Sequence, residues 1–209
     1  GKWHIGLKSG QYRRPCNFNI KIKRNRRGRA LLTIRILIQP IGYVSPDEVN
    51  ALTERLKGKF PFNTKIFPVI WPLQPPYSSY NIRRMQYDAE KINEFIAKKH
   101  IGFLGKKGSY VLGVAGFDGY YDGLRFVFGL ASIDLKVATI YTPRLKEQKE
   151  KYYERLGKEG THELGHLFGL SHCKNKYCVM SFSNSIAEVD DKGEDLCPEC
   201  KAKLTRIFH

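Results

Sequence analysis

The apolar residues of this chain fall into short runs whose spacing changes from strand-like to helix-like and back. Leu31 to Ile38 is rich in β-branched residues and reads as a buried strand ending at Pro40. Ser45, Pro46, Asp47 and Glu48 form a helix start, with a serine cap, an early proline and first-turn carboxylates. That helix is expected to run to about Lys57 and stop at Gly58. Thr64 to Ile70 reads as a strand that Pro68 confines to a sheet edge. The proline-rich stretch from Pro72 to Pro76, with Tyr77 and Tyr80, reads as a loop. Between Asp88 and Lys99, Ile92, Phe95 and Ile96 recur at helical spacing. Tyr110 to Phe117 reads as a strand followed by a turn at Asp118-Gly119, and Phe126 to Gly129 and Ile133 to Tyr141 read as two more. From about Pro143 an amphipathic helix runs through Tyr152, Tyr153 and Leu156 into His162; Gly157 and Gly160 weaken it without ending it. Strands alternating with helices, then an irregular cysteine-rich tail, predict one α/β (α+β) domain with a mixed, mostly parallel, twisted sheet. No internal repeat or linker interrupts it.

Composition adds bounds. A chain of 209 residues fills one domain and is short for two. Its 42% hydrophobic and 27% charged content is ordinary for a globular protein. No apolar run approaches the roughly 20 residues that span a bilayer, and Gly1 to Lys8 lacks the apolar core of a signal peptide. A cytoplasmic monomer without membrane contact is the expectation. The net charge of +16 is less ordinary, and much of it is concentrated in Lys21 to Arg29. Such a run can contact nucleic-acid phosphates. No interleaved aromatics or groove-reading motif accompany it, so a solvated strand, turn or arm is the favoured reading and nucleic acid the less favoured partner.

The chemistry is concentrated near the carboxy terminus. His162-Glu-Leu-Gly-His-Leu-Phe-Gly-Leu-Ser-His172 has the form H-E-x-x-H-x-x-G-x-x-H. Four residues apart on a helix, His162 and His166 project from one face, where both can reach one metal ion. Glu163 lies beside the first ligand, placed to act on a water without binding the metal. Gly169 tolerates a left-handed turn that brings His172 round as a third ligand. Three protein ligands and an open position describe a catalytic zinc site, whereas structural sites are closed by four. A bare H-E-x-x-H also arises by chance, but the glycine and third histidine make the longer pattern far more specific.

Cys173 and Cys178 follow directly, and Cys197-Pro-Glu-Cys200 forms a C-x-x-C pair. Two close pairs separated by a loop match a structural zinc site with four thiolates; two disulfides or free buried thiols are the other readings. Adjacent side chains in extended backbone point opposite ways, so His172 can face one metal while Cys173 faces the other. The second zinc would then clamp the segment that delivers the third histidine. Met180, one of two methionines, follows the motif as in zincins with the longer histidine pattern, where a methionine forms an apolar floor beneath the metal; an ordinary core methionine is the other reading. Cys16 has no evident partner.

These residues together, the long histidine motif followed by Cys173, Cys178, Met180 and the Cys197/Cys200 pair, resemble the archaemetzincins, a branch of the metzincin clan of zinc metallopeptidases. Both metal motifs match in order, although the gap from Met180 to Cys197 is about one residue shorter than usual, which a loop absorbs. Val111 to Val114 and Phe126 to Gly129 are similar to the family's strands at lower specificity. The resemblance implies a metzincin-like zincin domain with a long active-site helix and a small zinc-stabilised carboxy-terminal subdomain. An upper, sheet-bearing part would span about 1–169 and a lower part about 170–209, with the cleft between them. It implies two zinc ions: one on His162, His166 and His172, with Glu163 as general base and Met180 beneath, and one on Cys173, Cys178, Cys197 and Cys200. It further implies a peptide or protein substrate paired with an edge strand over Phe126, Val127, Phe128, Gly129 and Leu130. The reading from another class is a zinc-stabilised protein- or nucleic-acid-binding module with vestigial or regulated peptidase activity. The basic segment argues for it and Glu163, which a binding module does not need, argues against it.

Overall fold

The computed structural model describes residues 33–208. In chain order the elements are β1 (Ile34–Ile41), α1 (Pro46–Leu56), β2 (Thr64–Pro68), β3 (Tyr80–Asn81), β4 (Gln86–Asp88), α2 (Ala89–Lys99), α3 (Ile101–Leu104), β5 (Ser109–Ala115), β6 (Gly119–Tyr120), β7 (Gly129–Ser132), β8 (Val137–Tyr141), α4 (Lys149–Leu167), α5 (Ile186–Asp191) and α6 (Pro198–Phe208). A five-stranded sheet has the order β2-β1-β5-β8-β7. Its first four strands are parallel, and β7 runs antiparallel to β8 at the edge. Every residue of β5 and β8 is buried, as expected of parallel strands covered by helices on both faces.

Strand alternation divides the core. Ile34, Ile36, Ile38, Leu112, Val114, Ala138 and Ile140 share a cluster with Leu52, Leu56, Leu156 and Leu164 of α1 and α4. Ile41, Val111 and Val137 share another with Ile92, Ile96 and Leu104 of α2 and α3. The glycines that weaken α4 locally also admit α1: a Cβ on Gly157 would lie 2.9 Å from Arg55 Cδ, and one on Gly160 2.7 Å from Leu52 Cδ1.

Several boundaries differ from the sequence reading, each for a local reason. β1 continues through Pro40 to Ile41. The paired stretch of β2 ends at Pro68, so a missing N–H at Pro40 breaks no ladder bond there, while the Pro40 carbonyl accepts from Leu73 N–H. Leu31 and Leu32 lie outside the described residues, as do Cys16 and the basic run Lys21 to Arg29. β2 is an edge strand as Pro68 predicted, but two residues shorter. Strand geometry begins at Gly129, not Phe126, and β8 begins only at Val137, because a turn with Lys136 at positive φ (56°) occupies the interval. The long helix starts at Lys149; Pro143 opens a separate 3-10 turn. A second sheet of three short strands, β3-β4-β6, has no counterpart in the sequence reading, and its β6 occupies the expected Asp118-Gly119 turn.

Candidate metal centre and active site

Helix α4 carries His162, Glu163 and His166 and ends at Leu167. Gly169 follows at φ +95°, which an L-residue rarely adopts, and Leu170 N–H donates back to the Gly165 carbonyl. That reversal returns the chain toward its own helix and brings His172 to the other two histidines. One ligand atom from each of His162, His166 and His172 lies within 4.8 Å of the others.

The hydrogen bonds of the rings fix what those atoms are. His162 Nδ1 lies 2.8 Å from the Val179 carbonyl and His166 Nδ1 lies 2.8 Å from the Leu170 carbonyl. A carbonyl only accepts, so each Nδ1 carries the hydrogen and each neutral ring presents a lone pair at Nε2. The rings are held neutral: burial pushes His162 well below the ordinary histidine value and His166 below it, and burial takes His172 down to about 4. The two Nε2 atoms are 3.0 Å apart. Two lone pairs converging at that distance repel unless they share a cation, and ligands of one tetrahedral zinc sit about 3.3 Å apart. The donor set therefore fits zinc. Carbonyl acceptors behind two of the rings are the partners that fix tautomer and orientation at such sites.

Glu163 is buried. Its carboxyl is pushed well above the ordinary range, first by burial, then by the charge of Glu159, with Lys192 pulling the other way. Its neighbour is the edge strand: a Cβ on Gly129 would overlap the Glu163 carboxylate. Met180 is fully buried, with its sulfur against Gly165 of α4, the residue just before His166. Phe182 closes on the third histidine, ring centroids 4.9 Å apart.

The four cysteines also converge, with all sulfurs within 4.8 Å of one another. Cys173 Sγ and Cys197 Sγ are 3.8 Å apart, as are Cys178 Sγ and Cys200 Sγ. They are free thiols, so the disulfide reading does not hold for them. Two thiolates on one tetrahedral zinc, with Zn–S of about 2.3 Å, are about 3.8 Å apart. Cys197 N–H donates to Cys178 Sγ, an arrangement that suits a thiolate. The segment Cys178 to Met180 joins the clusters. It supplies a sulfur, then the Val179 carbonyl to His162, then the Met180 carbonyl to Cys173 N–H.

The resemblance seen in the sequence is matched by comparison with known proteins. Residues 63–206 match the model of peptidase family M54. The archaemetzincin of Aeropyrum pernix is 46% identical over 179 residues, covering 82% of this chain and 93% of that protein. The chain belongs to the archaemetzincins, peptidase family M54. It is accordingly a zinc metallopeptidase, and a peptide substrate follows from that class. The archaemetzincin of Archaeoglobus fulgidus, solved as a malonate complex, superposes with a TM-score of 0.71 at 36% identity, covering 81% of this chain and 99% of that one. The archaemetzincin of Methanopyrus kandleri gives 0.70 at 33%, covering 84% and 95%.

The expected edge-strand segment divides in two. Gly129 and Leu130 lie in β7. Phe126, Val127 and Phe128 precede it and are tied to the body: Val127 N–H donates to Gly119, Phe128 accepts from Tyr141 N–H, and Arg144 stacks on Phe126 at 4.0 Å. Sequence reasoning missed the two carbonyl acceptors, the approach of Gly129 to Glu163, and an ion pair between Glu159 and Lys192. Backbone acceptors leave no side-chain signature, and nothing in the spacing joins residue 159 to 192.

Proposed function

We propose that this archaemetzincin hydrolyses peptide bonds at a zinc ion held by His162, His166 and His172, with Glu163 as general base. The observation that carries this reading is the pair of Nε2 lone pairs converging at 3.0 Å on the same helix turn that carries Glu163. Zinc bound there supplies Lewis acidity and lowers the pKa of water toward about 7. Glu163 receives the proton of the attacking water at its carboxylate and delivers it to the leaving nitrogen. Substrate pairs as an extended strand with β7 over Gly129–Ser132, the antiparallel edge beside Glu163. Met180 forms the floor under the histidines.

A second zinc on Cys173, Cys178, Cys197 and Cys200 is structural, since four sulfurs leave no open position. In this reading the chain divides near Leu170 into an upper part bearing the sheet and a lower part bearing the cysteines, with the cleft between. The alternative of a binding module rests on Lys21 to Arg29, outside the described residues, and no observation among the described residues favours it. No helix among those residues is long and apolar enough to cross a membrane.

Peptide-library cleavage by the parent and by Glu163→Ala, with metal analysis of both, tests the assignment. The variant is expected to lose roughly 10²- to 10⁴-fold in kcat/KM, the worth of a general base, and to keep two zinc ions. Equal cleavage by both proteins would sink the role of Glu163; a single zinc in the parent would sink the two-site reading.

A further inference from the structure

Glu159 and Lys192 belong to neither metal motif, yet they form the most deeply buried ion pair among the described residues. Lys192 Nζ lies 2.8 Å from Glu159 Oε1, with side chains 1% and 4% exposed. Neither atom makes a well-directed hydrogen bond, so the contact is ionic. Desolvating two charges costs several kcal/mol per ion, and a well-packed apolar pair commonly serves stability as well or better. The pair is better explained by what it holds in place.

Its position forms a closed ring. Glu159 lies on α4, three residues before His162 and four before Glu163, on the same side of the helix. Lys192 is the first residue after α5. The next residue, Gly193, donates its N–H to the Tyr177 carbonyl at 3.0 Å, and the Asp195 carbonyl accepts from Val179 N–H at 3.1 Å. The strap 192–195 thus lies along 177–179. Val179 closes the ring by accepting from His162 Nδ1 at 2.8 Å. The path leaves α4 at Glu159 and returns to it at His162. The neighbouring ties have another target. Lys158 bonds the Val189 and Asp190 carbonyls and Arg155 bonds the Asp190 carboxylate, so both grip α5. Lys192 ties the strap itself to α4. Its ammonium is close enough to act electrostatically on His162, Glu163, His166 and His172.

We propose that Lys192 is a positioning residue for the histidine metal site: paired with Glu159, it holds the 192–195 strap against 177–179 so that the Val179 carbonyl meets the Nδ1–H of His162. The proposal rests on the reading of His162 as a metal ligand. Removing the tie frees the carbonyl to drift, and His162 loses the partner that fixes its tautomer and angle. Comparable losses at metal-bound histidines lower metal affinity about 10- to 100-fold.

The test is cobalt titration of the zinc-stripped full chain, followed in the visible spectrum, where thiolate charge-transfer bands report the cysteine site and ligand-field bands the histidine site. Lys192→Met combined with Glu159→Gln removes the tie at constant net charge. Losing the Lys192 ammonium, which acts on His162 and His172 where Glu159 does not, favours a cation there, so a fall in affinity cannot come from the charge change. Its histidine-site affinity is expected to fall about 10- to 100-fold, with altered ligand-field bands and an unchanged cysteine site. Lys192→Arg keeps the ionic tie and is expected to stay within about fivefold of the parent, whereas loss of packing alone would be worsened by the larger side chain. A double variant within about fivefold of the parent overturns the proposal, and so does a Lys192→Arg variant weaker than that. The arginine arm stands even if the double variant fails to fold. A parent without cobalt bands from the histidine site would instead defeat the ligand assignment of His162.

Discussion

Between Ile34 and Leu167 the protein is held by a sheet with apolar residues on both faces, whereas from Leu170 to Phe208 it is held largely by carbonyls, ion pairs and four sulfurs. The first region has strands and helices long enough to bury complete faces. The second has only α5, of six residues, and α6, of eleven, and its apolar residues Val179, Met180, Val189, Leu196, Leu204 and Phe208 join the first region's core rather than build one of their own. The histidine cluster straddles the two. His162 and His166 ride on a helix that the sheet makes rigid, while His172 and both carbonyl acceptors belong to the irregular side. The sheet side therefore fixes where the helix carrying Glu163 and two imidazoles stands, while the polar side sets the angles of those two rings and brings in the third.

The most severe break in this comparison is Cys197→Ser. The serine hydroxyl is a poor substitute for a thiolate, and a structural zinc contributes folding free energy directly. Metal analysis is expected to fall from two zinc ions to one. Hydrogen exchange is expected to lose protection around Cys173–Met180 while β5 and β8 keep theirs. Because Cys173 follows His172 in the chain, peptide cleavage is expected to fall as well. A variant that retains two zinc ions and full cleavage would dissolve the distinction between the regions.

The next break comes from the sheet side. Gly129→Ala places a methyl group where the Glu163 carboxylate stands. Either β7 or Glu163 must shift, and for the base proposed above a misplacement of about 1 Å is worth roughly 10²-fold in rate. The expected signature is a drop of that order in kcat with both zinc ions retained and a stability loss of about 1–3 kcal/mol from overpacking. A parent-like rate would mean that β7 does not set the position of the base.

How far these sites were legible beforehand follows the same division. The periodic region was readable element by element: the Ser45 cap, the helical spacing of Ile92, Phe95 and Ile96 and the β-branched run of β1 are local signals, and all three elements appear in the structure. The histidine and cysteine spacings were legible because ligand chemistry restricts residue type and order. The three-stranded sheet was not, since strands of two or three residues are too short to show a period. The start of α4 was misplaced because Pro143 is an equally good first residue for a 3-10 turn. The buried charges were missed for a different reason. Lys158, Lys192 and Glu159 look like surface residues in sequence, and only tertiary packing of the irregular region over α4 buries them.

Dependence on charge makes the carboxy-terminal region the acid-labile one. Hydrogen bonding to Arg155, at 2.8 Å to each carboxylate oxygen, holds Asp190 below the ordinary aspartate range against the opposing effect of burial. A carboxylate lowered in the folded state contributes stability that is present above its unfolded value, about 3.9, and lost as pH falls through its folded value. Asp190→Asn is expected to cost roughly 1–3 kcal/mol at neutral pH, by leaving buried Arg155 short of its charged partner. In urea denaturation the gap between parent and variant is expected to close as pH drops below about 4. A gap that stays constant to pH 2 would show that the pair's charge is not what fastens α5.

The smallest effect is reserved for the sheet side. Ser45 and Glu48 cap α1 reciprocally: Glu48 N–H donates to Ser45 Oγ at 3.3 Å, and Ser45 N–H donates to Glu48 Oε2 at 2.6 Å. Glu48 also accepts from the Tyr152 hydroxyl of α4, so it remains anchored if the serine is lost. Ser45→Ala should therefore cost about 1 kcal/mol, the usual worth of a cap, measured as a shift in the urea midpoint. Zinc content and cleavage are expected to stay unchanged, because the loss falls on a helix end and the core beneath it is intact. If so small a change instead reduced metal occupancy, rigidity in α4 would depend on the α1 cap, and the sheet would not be the independent support from which two of the three histidines hang.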